Sequence, residues 1–176
     1  IPQMVLTNLM GYTFSCPDMI GGGSFTTFLN EADIDQELIV RSAQIHALMP
    51  MMQFSVAPWR ILNKENFNAV KKAIETREKY MPLIMQLVLE SSKTNEPIIK
   101  HMEYVFPRQG FSGVNDQFML GDSILIAPVV DSGVAGREIH LPGGRWLADD
   151  GNIYDGNQKV FVDVPIDRLP VFELMN

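Results

Sequence analysis

The chain has 176 residues and a mass of 19.8 kDa, with 21 acidic and 14 basic residues. This composition is typical of a globular protein and excludes wholesale disorder. A net charge of −7 without a basic cluster argues against nucleic acid as a partner. No stretch approaches the roughly 18 apolar residues that would predict a membrane-spanning segment, and the single cysteine, Cys16, excludes an internal disulfide.

The chain opens with a predicted helix and a predicted strand. Residues 1–10 read as the end of a helix that stops at Gly11, and residues 12–16 form a short β-prone run. The glycines at 21–23 then predict a turn. Because the sequence begins with isoleucine inside a hydrophobic segment, we expect the chain to be a fragment of a longer protein.

A second strand and helix follow the same order. Asp33 can cap a helix over residues 33–48, which Pro50 ends, and residues 51–57 read as a short buried strand. The apolar residues of this helix that fall roughly on one face are Ile34, Leu38, Ile45 and Leu48. Asn63 can cap a longer helix over 64–90, in which Pro82 predicts a kink or a restart. The alternation predicts a parallel α/β arrangement.

After residue 97 the pattern changes to short β-prone runs separated by turns. The runs cover residues 97–105, 122–130, 137–141, 145–147, 159–164 and 170–174. Turn residues at 142–144 and 155–157 separate some of them. This region is therefore predicted to be an antiparallel β-sandwich, with a domain boundary near residues 95–97.

Four segments carry motifs in chain order. Residues 11–22 read GYTFSCPDMIGG, 37–50 read ELIVRSAQIHALMP, 77–82 read REKYMP and 116–129 read DQFMLGDSILIAPV. They are similar to G-x-P-F-x-G-x-D-I-G-G-F, E-L-x-x-R-W-x-Q-x-x-A-F-x-P, R-Y-x-L-L-P-Y and D-x-Q-F-M-x-G-D-x-L-L-V-A-P-V. Over essentially its whole length the chain thus resembles glycoside hydrolase family 31, the retaining α-glycosidases. The strings PDMIGG and MQFS…PW look most like the branch of the myogenesis-regulating glycosidases.

The resemblance implies an architecture and a reaction. Residues 1–96 would be the last two β/α units of a (β/α)8 barrel, with strands 7 and 8, and residues 97–176 a C-terminal antiparallel β-sandwich. The parent enzyme would hydrolyse terminal α-linked sugars without a cofactor. Its partners would be the carbohydrate substrate and the N-terminal part of the same enzyme, and association into homo-oligomers stays open.

The chain is not expected to contain the catalytic residues. A retaining glycosidase needs two carboxyl groups about 5–5.5 Å apart, and the family places both before barrel strand 7. Residues 18–20 look superficially like the nucleophile motif, but Pro17 precedes them and glycines follow. Residues 121–123 look like the acid/base motif, but they open a sandwich strand, where Asp122 would fix a turn. We therefore expect this chain alone to be inactive.

Four residues are candidates for substrate binding. Asp18 lies at the predicted end of barrel strand 7, where active sites of such barrels form, although an Asp after Pro17 also commonly fixes a turn. At barrel strand 8, Gln53 stands where the family has Arg and Ser55 where it has His. Trp59 could stack on a sugar or seal the barrel rim.

Two further interpretations complete the sequence-based hypothesis. Gly22 replaces a usual Phe, and together with the changes at 53 and 55 this implies a substrate other than a plain α-glucoside, with an α-galactoside as first choice. No metal is expected, because the three histidines lack ligand spacing. The alternative function is a non-catalytic carbohydrate-binding or structural module.

Overall fold

The structure, a computed structural model, describes residues 1–21 and 34–175. In these residues the helices are α1 (Pro2–Leu9), α2 (Gln36–Ala47), α3 (Lys64–Thr94) and α4 (Met102–Val105), with a 3-10 helix at Pro58–Arg60. The strands are β1 (Ile99–Lys100), β2 (Phe118–Leu120), β3 (Ile124–Ile126), β4 (Gly136–Leu141), β5 (Arg145–Ala148), β6 (Ile153–Asp155), β7 (Gln158–Asp163) and β8 (Val171–Met175). The proposed cap Asp33 and the glycines Gly22 and Gly23 lie outside the described residues.

The second half of the chain forms two antiparallel sheets. One has six strands in the order β1-β2-β3-β8-β5-β6, and the other pairs β4 with β7. The prediction of antiparallel strands consistent with a β-sandwich is confirmed. The expected strand over 97–105 is wrong beyond β1, because His101 Nδ1 accepts a hydrogen bond from the backbone N–H of Glu103 (3.1 Å) and caps helix α4. The three-residue strands β2 and β6 were not predicted.

The six-stranded sheet is the middle layer of the molecule. Along β2, Phe118 and Leu120 join the core formed with the helices, whereas Met119 points into the core shared with β4 and β7. Successive strand residues face opposite sides of a sheet. Strands β2 and β3 are therefore buried on both faces, which explains why they read as continuous apolar runs rather than as alternating patterns.

Helix α2 begins later than predicted. Asp35, rather than Asp33, is its N-cap, and its Oδ1 accepts a hydrogen bond from the backbone N–H of Leu38 (3.0 Å). Of the four apolar residues predicted to share a face, Leu48 is buried and Ile34 and Ile45 pack against the core, whereas Leu38 is 62% exposed. The helix also places Ile39, Val40, Ala43 and Ala47 in the core. Three consecutive apolar residues at 38–40 had left the helical phase ambiguous.

Helix α3 runs without interruption through Pro82. The predicted cap is confirmed, since Asn63 Oδ1 accepts a hydrogen bond from the backbone N–H of Asn66 (2.9 Å). The predicted restart is wrong, and the helix ends at Asn95 in the left-handed conformation (φ 60°). Pro82 cannot hydrogen-bond to the carbonyl of Glu78. Both residues are exposed, so water can reach that carbonyl and the helix continues.

The two strands expected before residue 60 are reduced to a single contact. Helix α1 ends before Gly11 as predicted, with Gly11 at φ 92°. Residues 12–16 and 51–57 are irregular, however, and the parallel pairing in the described part of the chain consists of one bridge between Ile20 and Phe54. A strand inside a parallel sheet is hydrogen-bonded to a strand on each side. Among the described residues, each of these two segments has a partner on one side, which is the other segment. No helix among the described residues is long and apolar enough to cross a membrane.

Candidate functional site

The Ile20–Phe54 bridge brings together the two segments that carry the candidate residues. The backbone N–H of Ile20 donates to the Gln53 carbonyl (2.9 Å), and the N–H of Ser55 donates to the Ile20 carbonyl (3.0 Å). Ser55 Oγ donates to that same carbonyl (3.1 Å). Ile20 and Phe54 pack into the core, so Gln53 and Ser55 project to the opposite, exposed side.

Asp18 lies on a bend two residues before the bridge and is exposed. Its Oδ1 accepts a hydrogen bond from the backbone N–H of Met19 (2.8 Å), the next residue along the chain, whereas an Asx-turn uses the residue two positions on. A carboxylate has two oxygens with about four acceptor sites, so this bond leaves capacity for a ligand. Both interpretations of Asp18 therefore remain compatible with the geometry, and its role stays a prediction.

Trp59 is on the 3-10 helix that follows the bridged segment. Its side chain is 69% exposed, while the preceding Pro58 is buried. A ring that exposed does not seal the described core. Among the described residues no hydrogen bond joins Asp18, Gln53, Ser55 and Trp59 to one another. The bridge brings their two chain segments together, but the side chains themselves make no shared contact.

His46, on the last turn of α2, is close enough to Asp18 to feel its charge. Burial lowers the pKa of His46 to about 4, the charge of Asp18 opposes this shift, and the ammonium group of Ile1 adds to it. Its Nδ1 is buried and lacks a hydrogen-bond partner within the described ranges. Sequence spacing gave no reason to associate His46 with this site. The described residues contain no group of three His, Cys, Asp or Glu side chains that could hold a metal ion.

Arg77 of α3 lies behind the same segments and was not singled out from the sequence. Its Nη1 donates to the carbonyls of Ala47 (2.9 Å) and Met49 (2.8 Å), with a longer contact to that of His46 (3.5 Å). Its Nη2 donates to the carbonyl of Pro50 (3.1 Å). The REKYMP motif that begins with Arg77 was the signal that could have marked it.

A separate cleft of about 620 Å³ lies between α3 and the sandwich. All its charged side chains except Glu75 pair with each other or with adjacent residues: Lys72 with Asp167, Lys79 with Glu173, and Arg168 with Asp149 and Asp150. Tyr80 also donates to Glu173 (2.5 Å), which holds the pKa of that carboxyl below its usual range. Because most of these charged groups already form ion pairs, they hold helix α3 and the sandwich together rather than forming a candidate active site.

Comparison with known proteins agrees with the arrangement of helices and sandwich. Residues 95–173 match the family model described as Glycosyl hydrolase family 31 C-terminal domain. Over 172 residues the chain is 31% identical to the myogenesis-regulating glycosidase of Mus musculus, covering 95% of this chain and 24% of that protein. The chain belongs to glycoside hydrolase family 31.

Two other similar proteins are also several times longer than this chain. The SITS-binding protein of Tetronarce californica is 34% identical over 154 residues, or 86% of this chain and 22% of that protein. A Flavobacterium johnsoniae family 31 dextranase complexed with glucose superposes with a TM-score of 0.86 at 28% identity, covering 99% of this chain and 22% of that one. The chain thus spans about a quarter or less of the length of these proteins.

In this family 31 chain, the segment that resembles an acid/base motif lies in the sandwich. Asp122 is in the turn between β2 and β3, and its Oδ1 accepts a hydrogen bond from the buried ammonium group of Lys100 (2.7 Å). Glu96 Oε1 accepts from the same ammonium group (2.7 Å). The side chain of Asp122 therefore takes part in an ion pair with Lys100, and its predicted role in fixing the turn stays a prediction.

Proposed function

We propose that this chain is part of a retaining α-glycosidase that hydrolyses terminal α-linked sugars. In this proposal residues 1–96 form the last two β/α units of a (β/α)8 barrel and residues 97–176 the C-terminal sandwich. The observation that carries it is the parallel Ile20–Phe54 bridge flanked by exposed polar side chains. Neighbouring barrel strands are parallel, and the residues at their C-terminal ends build the active site of such a barrel.

The proposed role of the chain is to bind the sugar rather than to cleave it. Asp18 would accept hydrogen bonds from sugar hydroxyls, Gln53 can both donate and accept, and Ser55 would add a hydroxyl. Trp59 would offer an apolar ring face to the sugar. The nucleophile and the acid/base of the double displacement would come from residues outside this chain.

The residues at 53 and 55 suggest which sugar is preferred. They replace the Arg and His that resemblance to typical α-glucosidases leads one to expect, so we propose an α-galactoside as the substrate. The test is to assay the full-length gene product on nitrophenyl α-galactoside and nitrophenyl α-glucoside. A higher kcat/KM for the glucoside would contradict this specificity.

A non-catalytic module is the second candidate function. It is favoured by the name of one relative, the SITS-binding protein, which describes binding. Titrating galactose and glucose into the full-length protein separates the two: saturable binding without turnover of either nitrophenyl glycoside supports the module, whereas turnover supports the glycosidase. The mass and N-terminal sequence of the gene product would also show whether the chain is a fragment of a longer protein.

A further inference from the structure

We propose that Arg77 is a positioning residue of the candidate site, holding the segment that carries Gln53 and Ser55 where a sugar can contact them. The inference rests on the proposed function, because it assigns a purpose to placing these two side chains. Arg77 itself would touch neither substrate nor reacting atoms. It acts through the backbone carbonyls between α2 and the bridged segment.

The first step of the argument concerns the end of α2. The last carbonyls of a helix have no donor within the helix, and here the following residues, Leu48 and Met49, are fully buried. Buried carbonyls require donors from elsewhere. Arg77 supplies them to Ala47, Met49 and Pro50 at 2.8–3.1 Å, so it takes the place of a C-cap at this helix end.

The second step concerns the charge of Arg77. In the described part of the chain all its hydrogen-bond acceptors are backbone carbonyls, and none is a carboxylate. Burial lowers the pKa of Arg77, which shows that the surroundings disfavour its charge. The guanidinium is a rigid fork with five donors. The guanidinium therefore holds the four carbonyls through the arrangement of its donors rather than through an ion pair.

The third step connects Arg77 to the site. In the described residues, hydrogen bonds to the backbone of 50–55 come from two places: Arg77 at Pro50, and the backbone of Ile20 at Gln53 and Ser55. The Ile20 contact is a single bridge. Without Arg77 the segment would keep its hydrogen bonds to Ile20 but lose the hydrogen bond at Pro50, three residues before Gln53.

The test compares Arg77→Met with a matched control, Arg41→Met, in the full-length protein. Arg41 is more deeply buried than Arg77, which is half-buried, and donates to two backbone carbonyls, those of Val164 (2.9 Å) and Pro165 (3.2 Å), but it ties α2 to the sandwich. We expect Arg77→Met to raise KM for nitrophenyl α-galactoside about tenfold, with a smaller fall in kcat. Arg41→Met should lower the melting temperature comparably and leave KM within about twofold.

Two further measurements keep the inference testable if Arg77→Met folds poorly. Arg77→Lys, with one point charge in place of the fork, should raise KM by an intermediate amount. Backbone amide exchange at Ser55 should accelerate in both Arg77 variants and not in Arg41→Met. In the Gln53→Ala background, Arg77→Met should raise KM less than it does in the unsubstituted protein, because the two residues act through one contact with the sugar.

The outcomes separate this inference from the proposed function. If the unsubstituted protein neither hydrolyses nor binds either glycoside, the proposed function is contradicted and this inference falls with it. If the protein is active but Arg77→Met and Arg41→Met change KM equally, only the positioning role is overturned. Full additivity with Gln53→Ala would overturn it as well.

Discussion

The sandwich and the helical half of the molecule satisfy their backbones in different ways. Strands β4 and β7 pair over six residues each, and every strand of the larger sheet has at least one paired neighbour. Before residue 96 the described β pairing is one bridge, at Ile20 and Phe54. The sandwich therefore completes its own ladders, whereas the helical half holds two strand-like segments in place with side chains such as Arg77.

The exposed apolar side chains are also distributed unevenly between the two halves. Large exposed apolar side chains of the helical half include Leu6, Leu9, Met10, Tyr12, Phe14, Met51, Met85 and Leu89. Among the described residues the sandwich exposes fewer: Tyr104, Val130, Ile153, Phe161 and Met175. Large exposed apolar surface on a folded unit indicates an interaction site. We therefore predict that the helical half, rather than the sandwich, is covered in the whole protein, and the following experiments can break or sharpen this difference.

The largest expected effect comes from expressing residues 1–176 alone. We expect this polypeptide to associate, because its apolar faces and strand edges are uncovered. We also expect it to show no glycosidase activity, because the proposed nucleophile and acid/base lie outside it. Size-exclusion chromatography with light scattering and an aryl α-glycoside assay measure the two properties. The double substitution Leu6→Lys and Met10→Lys should reduce association, while Phe161→Ser, on the sandwich, should not.

A monomer that hydrolyses the glycoside above the buffer rate would contradict this prediction. It would also mean that the rejection of Asp18 and Asp122 as catalytic residues is wrong. If association persists in the Leu6→Lys and Met10→Lys variant but disappears in Phe161→Ser, the sandwich rather than the helical half carries the interacting surface.

The two tryptophans offer a matched pair for the next effect. Trp146 of β5 is fully buried, its Nε1 donates to the Pro142 carbonyl (2.9 Å), and its ring packs edge-on against Phe106 with 6.0 Å between centroids. Trp146→Ala should lower the free energy of unfolding by about 3–5 kcal/mol. Trp59→Ala should change it by less than about 0.5 kcal/mol. Urea denaturation of both variants checks this, and equal losses would contradict the assignment of Trp59 to an exposed surface.

The sequence predicted the elements whose signals are local. The cap at Asn63, the stop at Gly11 and most strands of the sandwich followed from residue types at fixed spacings. The exposure of Leu38 and the missing strands before residue 60 did not, because both depend on neighbours: Leu38 is helical whichever way it points, and a parallel strand pairs with residues far away. The surroundings of His46 and the carbonyls around Arg77 involve distant segments, so no spacing could reveal them.

A tenfold effect on activity is expected at Asp18. If Asp18 contacts the sugar, Asp18→Asn in the full-length protein should lower kcat/KM about tenfold, or about 1.4 kcal/mol, with little change in melting temperature. The Met19 N–H can still donate to the amide oxygen, so the turn is retained. A fall of several degrees in melting temperature with unchanged activity per folded molecule would instead favour the turn-fixing role.

The smallest expected effect is a pH dependence of stability from His46. Its folded pKa of about 4 lies below the ordinary value of 6.5, so the folded state favours the neutral ring. The unfolded chain then binds more protons, and stability falls as the pH drops from about 6.5 towards 4. Between pH 7 and pH 5 we expect the protein to lose about 1 kcal/mol that His46→Gln does not lose, after allowing for partial solvent screening.

Urea denaturation at the two pH values measures this difference, and His140→Gln is the control. His140 lies on β4 of the sandwich, so its replacement removes an imidazole and leaves His46 in place. The carboxyls of Glu173 and Asp167 have lowered pKa values because of Tyr80, Lys79 and Lys72. The stability that these carboxyls contribute is lost only at lower pH. It is the same in each variant, so it cancels when the variants are compared. Equal pH dependence in His46→Gln and the unsubstituted protein would show that His46 is not held neutral, and that the helical half is open to water at this point.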